Sequence, residues 1–243
     1  MEDQLGFSIE DVDDETLESI EDQPGVIGVA SAFLGRYREF DVCVQRTKAP
    51  EGTIVDWRVG VCIAMHFNNM IRTMLDDEKY KWLWMLGDDH VFKGELLMSL
   101  LKRNVDVVVP MCLKRIPPYQ PIVFAGREGG FQPLGWGAVS GKSGLVELKT
   151  SLLGNAGMLI KRSVVETMPA PWFENGKMNP ELGGCDLWFC QKLHDMGLGL
   201  YLDTDNTIGH LSHVAVWPMR GENNIYTPEL RTPMNYGKDA GTQ

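Results

Sequence analysis

The sequence predicts an α/β fold with a mostly parallel central sheet, helices on both faces and a hairpin-rich second half. Two observations predict it. Between residues 25 and 111, short apolar and β-branched runs alternate with segments of helical period. From Lys114 to about Gly154 the prolines Pro117, Pro118, Pro121 and Pro133, with many glycines, interrupt regular structure and leave only short extended pieces.

The elements follow in order. GVIGVASAF, 25–33, small and β-branched, is a buried first strand. FDVCVQ, 40–45, is read as a second strand. Residues 58–75 run helically, with Val61, Ala64, Met65, Ile71 and Leu75 near one face. KWLWML, 81–86, is an apolar run bounded by charge, hence a central strand, with Trp82 and Trp84 facing the core. It ends at Gly87-Asp88-Asp89-His90. Residues 94–103 form a helix and DVVVPM, 106–111, a strand. QPIVF and LVELKT belong to hairpins. NAGMLIKRSVVETM is a strand entering a short helix, and PAPWFENGKMNPELGG a loop. CDLWFCQKLHDMG is a helix with Leu187, Cys190 and Leu193 on one side and a stop at Gly197. GLYLDTD is the last strand, followed by TIGHLSH.

Charge is unevenly placed. Of 33 acidic residues, ten lie in 1–22, which holds no Lys or Arg; the remaining 23 balance 23 basic residues. The first 23 residues therefore read as a solvated acidic extension, residues 24–217 as the folded domain, and 218–243 as a polar C-terminal extension. The neutral body lacks the basic excess expected of a nucleic-acid binder. Five scattered cysteines form no disulfide framework and no CxxC. No apolar run approaches 18 residues, and the acidic N-terminus is unlike a signal peptide, so a soluble, cytoplasmic protein is expected. GxSxG, Walker A and GxGxxG are all missing from the sequence.

Three clusters carry candidate chemistry. LWMLGDDHVF places two carboxylates and an imidazole after an apolar strand, where ligands of open α/β sheets bind. Adjacent carboxylates there call for a compensating cation, and oxygen plus imidazole donors suit Mg²⁺ or Mn²⁺; the alternative is that Asp88 and Asp89 cap the next segment. In GGCDLWFC, Asp186 stands at a helix start, either as a cap or facing a ligand. Gly209-His210 follows the last strand, where a neutral imidazole can ligate a metal; His213 is a weaker candidate. Trp172, on the loop PAPWFE, either stacks on a ligand ring or plugs the loop onto the core.

The order WLWMLGDDHVF, then GNAGMLIKRSVVETMPAPWFE, then CDLWFCQKLHDMGLGLYLDTDNTIGH, over roughly 24–217, resembles the GT-A class of nucleotide-sugar glycosyltransferases, most closely the small family-2-like enzymes of bacteria and phages. That resemblance implies a single Rossmann-like GT-A domain. It implies a divalent metal, Mn²⁺ or Mg²⁺, on Asp89 and His210. Gly87 stands where the first Asp of an Asp-x-Asp motif would be, and Asp88 meets the donor. The Glu-Asp pair expected at the later helix start reads Cys185-Asp186, leaving Asp186 as base. Asn155, Ala156 and Gly157 lie beneath the donor sugar, and Asn68 and Asn69 face the nucleotide pocket; Trp172 is a donor contact only on the stacking reading of its loop.

The expected activity is transfer of a sugar from a nucleoside-diphosphate-sugar to a hydroxyl acceptor, with inversion. The first alternative is a non-catalytic nucleotide-sugar or glycan binder, motivated by Gly87 and Cys185. A nucleotidyltransferase ranks third, because ASAFLGRYREF has a single glycine where a phosphate loop is expected. The donor base, the sugar, the acceptor, retention as against inversion, and the oligomeric state are not written in these motifs.

Overall fold

The computed structural model describes residues 7–8, 19–32, 37–127, 130–177, 184–212, 215–220 and 226–231. Its elements are β1 (Phe7–Ser8), β2 (Val26–Ser31), α1 (Arg38–Gln45), β3 (Ile54–Val59), α2 (Ile63–Leu75), β4 (Trp82–Gly87), β5 (His90–Val91), α3 (Leu96–Leu101), β6 (Val107–Met111), β7 (Val123–Arg127), β8 (Gly130–Pro133), β9 (Leu145–Leu148), β10 (Ser151–Leu153), β11 (Met158–Lys161), α4 (Arg162–Thr167), α5 (Cys185–Asp195), β12 (Leu200–Thr207) and β13 (Gly209–His210). These fall within one compact unit, Met1–His210; a second, Leu211–Gln243, contains the antiparallel strands β14 (Ala215–Arg220) and β15 (Tyr226–Arg231). The expected solvated extension at 1–6 and 9–18 lies outside the described residues, as do His213 and, in the C-terminal stretch, 221–225 and 232–243.

The main sheet has eight strands in the order β1-β9-β12-β6-β11-β4-β2-β3. Six run in one direction; β11 and β9 are reversed. The Pro- and Gly-rich stretch supplies the three-stranded antiparallel sheet β10-β7-β8 and returns β9 to the main sheet. β4 sits between β2 and β11, and Trp82 through Leu86 are fully buried. Both tryptophans of β4 are core: the Trp82 indole donates to Gln23 O and the Trp84 indole to Gly157 O. Helices cover both faces. Neighbouring residues of β3 point to opposite sides; Trp57 meets Phe40 of α1, while Asp56 accepts from Thr73 of α2.

Two elements differ from the sequence reading. FDVCVQ is not a strand but most of α1. Its alternation is matched by no two-sided burial, for only Phe40 is buried, and Glu39 and Asp41 favour a helix start. The second strand is instead Ile54–Val59, an edge strand along which Val55, Trp57 and Val59 are the exposed positions and Ile54, Asp56 and Arg58 the half-buried ones. Consequently α2 starts at Ile63, and its buried face is Ala64, Phe67, Met70, Ile71 and Met74. Val61 and Met65, expected on that face, are 86% and 52% exposed.

Candidate functional site

The site lies where β4 ends. Because β11 runs against β4, with Met158 opposite Met85, its incoming turn, 154–157, arrives at the same rim. β12 runs with β6, so its outgoing end reaches that rim too. There β13 pairs with β5, His210 directly opposite His90. This two-residue ladder brings the late Gly-His beside the early Asp-Asp-His. The result is a cleft of about 240 Å³ lined by Asp89, His90 and His210 on one side and Asn155, Cys185 and Asp186 on another, with Ile63 and Phe67 of α2 completing the wall. Ile63 and Phe67 escaped the sequence reading, although their i, i+4 spacing at a helix start was visible.

Asp89, His90 and His210 have ligand atoms within 4.8 Å of one another and form a group that could hold a metal ion. The three are not equivalent. His210 Nδ1 lies 3.1 Å from Leu113 O; a carbonyl only accepts, so Nδ1 carries a proton, and Nε2 faces Asp89 Oδ2, 3.2 Å away, donating to it through a second proton that a metal ion would displace. That is the arrangement of a metal-ligating histidine oriented by a backbone carbonyl. Two ligand atoms at right angles on an ion with bonds of roughly 2.1 Å stand about 3 Å apart, so the Asp89–His210 spacing fits a small divalent cation with little movement. His90 fits less well. Gly87 N–H donates to its Nδ1 at 3.1 Å, so the neutral ring keeps its proton on Nε2. Burial drives His90 down to about 4, which keeps it neutral. It therefore serves as a fixed wall of the site, its Nε2 3.9 Å from Asp89 Oδ1.

Burial pushes the Asp89 carboxyl up, but the His210 hydrogen bond and the charges of His210 and Arg115 outweigh it and hold Asp89 below its ordinary value. Burial alone would lower His210; its bond to Asp89 instead raises it to about 10. Arg115, absent from the sequence reading, donates to Asp89 Oδ2 at 2.6 Å. The lack of an acid at position 87 has a local counterpart: a Cβ there would come within 2.7 Å of Asp89 Oδ1, so the glycine leaves room for the Asp89 carboxylate.

Asp186 sits in the first turn of α5, behind Gly184, whose φ of 81° suits glycine. Its Oδ2 accepts from Asn155 N at 2.9 Å and its Oδ1 from Leu187 N at 3.0 Å, which ties the helix start to the 154–157 turn. Burial pushes its carboxyl up, against the pull of the Asn155 and Leu187 amides. Beside it, the Cys185 thiol is raised to about 12 by burial and by the Asp186 charge, so it stays neutral and does not replace a carboxylate.

The other expected contacts divide. Asn155 lines the cleft, and its Oδ1 also accepts from Met158 N. Ala156 is buried beneath, and Gly157 has φ of 75° with its carbonyl on Trp84. Gly157→Ala should destabilise the protein by about 2 kcal/mol, from the left-handed conformation and a Cβ 3.1 Å from Ile208. Thermal unfolding should shift down by roughly 4–8 °C; an unchanged midpoint would show that this turn relaxes freely.

Four residues are placed elsewhere than in the cleft. Asp88 turns to the end of β2, accepting from Ser31 Oγ at 2.6 Å and Ala32 N at 3.2 Å. Asn68 is buried, accepting from Trp172 N and Phe173 N and donating to Phe173 O and Ala64 O. Its amide is spent on holding the 172–173 loop. Trp172 correspondingly plugs the core: it is 7% exposed and its indole donates to Val165 O and Met168 O. Asn69 accepts from Arg72 on the outer side of α2.

No protein-family model matches the chain, and no curated protein does. Solved structures match its fold. One is the crystal structure of A197 from STIV, with a TM-score of 0.53 and 15% identity over 84% of this chain and 94% of that one. Another is GalNAc-T7 with UDP, GalNAc and Mn²⁺, with a TM-score of 0.50 and 11% identity over 79% of this chain; the match spans 44% of the GalNAc-T7 chain. The fold is thus a GT-A-like, Rossmann-type α/β domain. Among the described residues no helix is long and apolar enough to cross a membrane.

Proposed function

We propose that this protein is a metal-dependent glycosyltransferase that moves a sugar from a nucleoside-diphosphate-sugar to a hydroxyl acceptor, with inversion. The observation that carries the reading is that Asp89 and His210, 3.2 Å apart, share one cleft with Asp186, a carboxylate raised by burial. At about 240 Å³ the cleft is smaller than the roughly 300–1,000 Å³ of sites that enclose a whole ligand. It suits the reacting end of a donor, the sugar and its phosphates.

When bound, a Mn²⁺ or Mg²⁺ ion supplies Lewis acidity to the departing diphosphate. Asp89 and His210 would hold it, and Leu113 O keeps the His210 ring in the tautomer this requires. Asp186 takes the proton of the acceptor hydroxyl while the acceptor oxygen bonds to the anomeric carbon and the anomeric carbon–phosphate oxygen bond breaks. The Asn155 and Leu187 amides fix the Asp186 carboxylate for that approach. Ile63 and Phe67 give this space an apolar wall.

A second reading, donor binding without transfer, is favoured by one observation: a buried, neutral Cys185 stands where the resemblance expects a Glu. A panel of UDP-, GDP-, CDP- and dTDP-sugars with Mn²⁺ separates the two. Transfer predicts a rise in unfolding temperature with one donor class, reversed by chelation, together with release of nucleoside diphosphate when a panel of hydroxyl-bearing acceptors is added. The same rise without release selects the binding protein. No metal-dependent shift with any donor overturns both.

A further inference from the structure

We infer that Arg115 competes with the divalent ion for Asp89 and thereby makes the site take up a cation together with a diphosphate in preference to the bare cation. The inference rests on the metal reading above. Asp89 Oδ2 receives two side chains, Arg115 Nη1 at 2.6 Å and His210 Nε2 at 3.2 Å. Oδ2 is the Asp89 oxygen that faces His210 Nε2, so a cation bridging the two side chains along this approach would bond to that same oxygen. It would then stand within a few ångströms of a guanidinium that is permanently charged, so the two positive charges cannot both keep full contact with one carboxylate.

The arm that carries Arg115 is built to let it go. Residues 113–121 form a closed loop: Leu113 bridges Pro121, Lys114 N donates to Gln120 O and Tyr119 N to Ile116 O. These bonds hold the loop through its backbone, whereas Arg115 projects from it with a side chain 52% exposed. Rotation of that side chain breaks none of them. The same loop offers Leu113 O to His210, so it orients one proposed ligand while its arginine covers the other. A guanidinium displaced by the bare ion goes to solvent and loses its ion pair, whereas a diphosphate arriving with the ion offers it a new anionic partner in a geometry arginine binds well. The cost of displacement is thus recovered only by the ion–diphosphate pair.

The test is direct binding of Mn²⁺, followed by its paramagnetic resonance signal, and of Mn²⁺ with inorganic pyrophosphate, followed by calorimetry, to wild type, Arg115→Ala and Asp89→Ala. The expected result is that Arg115→Ala binds bare Mn²⁺ more tightly than wild type, by up to about fivefold, the equivalent of one released surface ion pair, and loses most of the wild-type preference for Mn²⁺ with pyrophosphate. Equal or weaker Mn²⁺ binding by Arg115→Ala, with uptake still abolished by Asp89→Ala, overturns the competition and leaves the metal site standing. Mn²⁺ uptake that ignores Asp89 in every variant overturns the metal reading and this inference with it. Arg115 is half exposed on a loop, and Arg115→Lys, which keeps the charge without the fork, should fall between wild type and alanine.

Discussion

Asp186→Asn should lower sugar transfer by roughly 10²–10⁴-fold, the usual worth of a positioned general base, while donor affinity stays within about twofold. The replacement keeps the shape of the side chain but cannot accept the acceptor's proton. It keeps one acceptor oxygen, so one of the two amides that Asp186 now satisfies, Asn155 N or Leu187 N, loses its partner. That loss costs about 1–3 kcal/mol of stability, so rates are to be compared at a temperature where both proteins are folded. A pH profile isolates the chemistry from this structural cost. Burial raises the Asp186 carboxyl above the roughly 3.9 of a free aspartate. The base form is present above that raised value and is lost as pH falls through it, so wild-type transfer should fall on the acid side at a pH above the ordinary aspartate range. The residual activity of Asp186→Asn should lack that limb. Unchanged turnover in the variant, or an identical acid limb, removes Asp186 from the reaction.

Asp89→Ala should weaken Mn²⁺-dependent donor binding by at least about 100-fold, since even partners behind a metal ligand are worth 10–100-fold. Folding should tolerate the change. Arg115 returns to solvent, His210 keeps its bond to Leu113 O, and with the carboxylate gone the influence that raises His210 to about 10 disappears. The neighbouring Asp88 supplies the control. Its carboxylate is bound to Ser31 and Ala32 at the end of β2, so Asp88→Ala should loosen that strand end and leave Mn²⁺ uptake intact. Calorimetry of donor binding with and without Mn²⁺ reads both variants. Equal affinity under the two conditions in wild type would dispose of the metal role of Asp89.

Much of the architecture was legible because its causes are local. The buried run WLWML and the strand GVIGVAS need both faces covered, and the helix of Asp186 has its apolar side and its stop at Gly197 written within a few turns. FDVCVQ was misread because Phe40, Val42 and Val44 alternate as in a strand, whereas only Phe40 is buried, against Trp57 and Phe92 of distant segments. The strand holding Trp57 was missed although its alternation was present. The placement of Asn68 and Trp172 was illegible for a similar reason: each satisfies the other's segment across about a hundred residues, and neither end alone signals a core role.

The sequence by itself determined the α/β class, the strand that ends in Gly87-Asp88-Asp89-His90, and the helix start that carries Asp186. Those depend on periodicity, turn residues and capping, which act over a few residues. Only the tertiary structure decided that β11 enters reversed beside β4, that His210 pairs across from His90, that Asp88 faces away while Asp89 faces the cleft, and that Arg115 reaches Asp89. Those depend on pairing between segments dozens of residues apart, where the deciding energy is the joint burial and hydrogen bonding of both partners, a quantity no single segment contains.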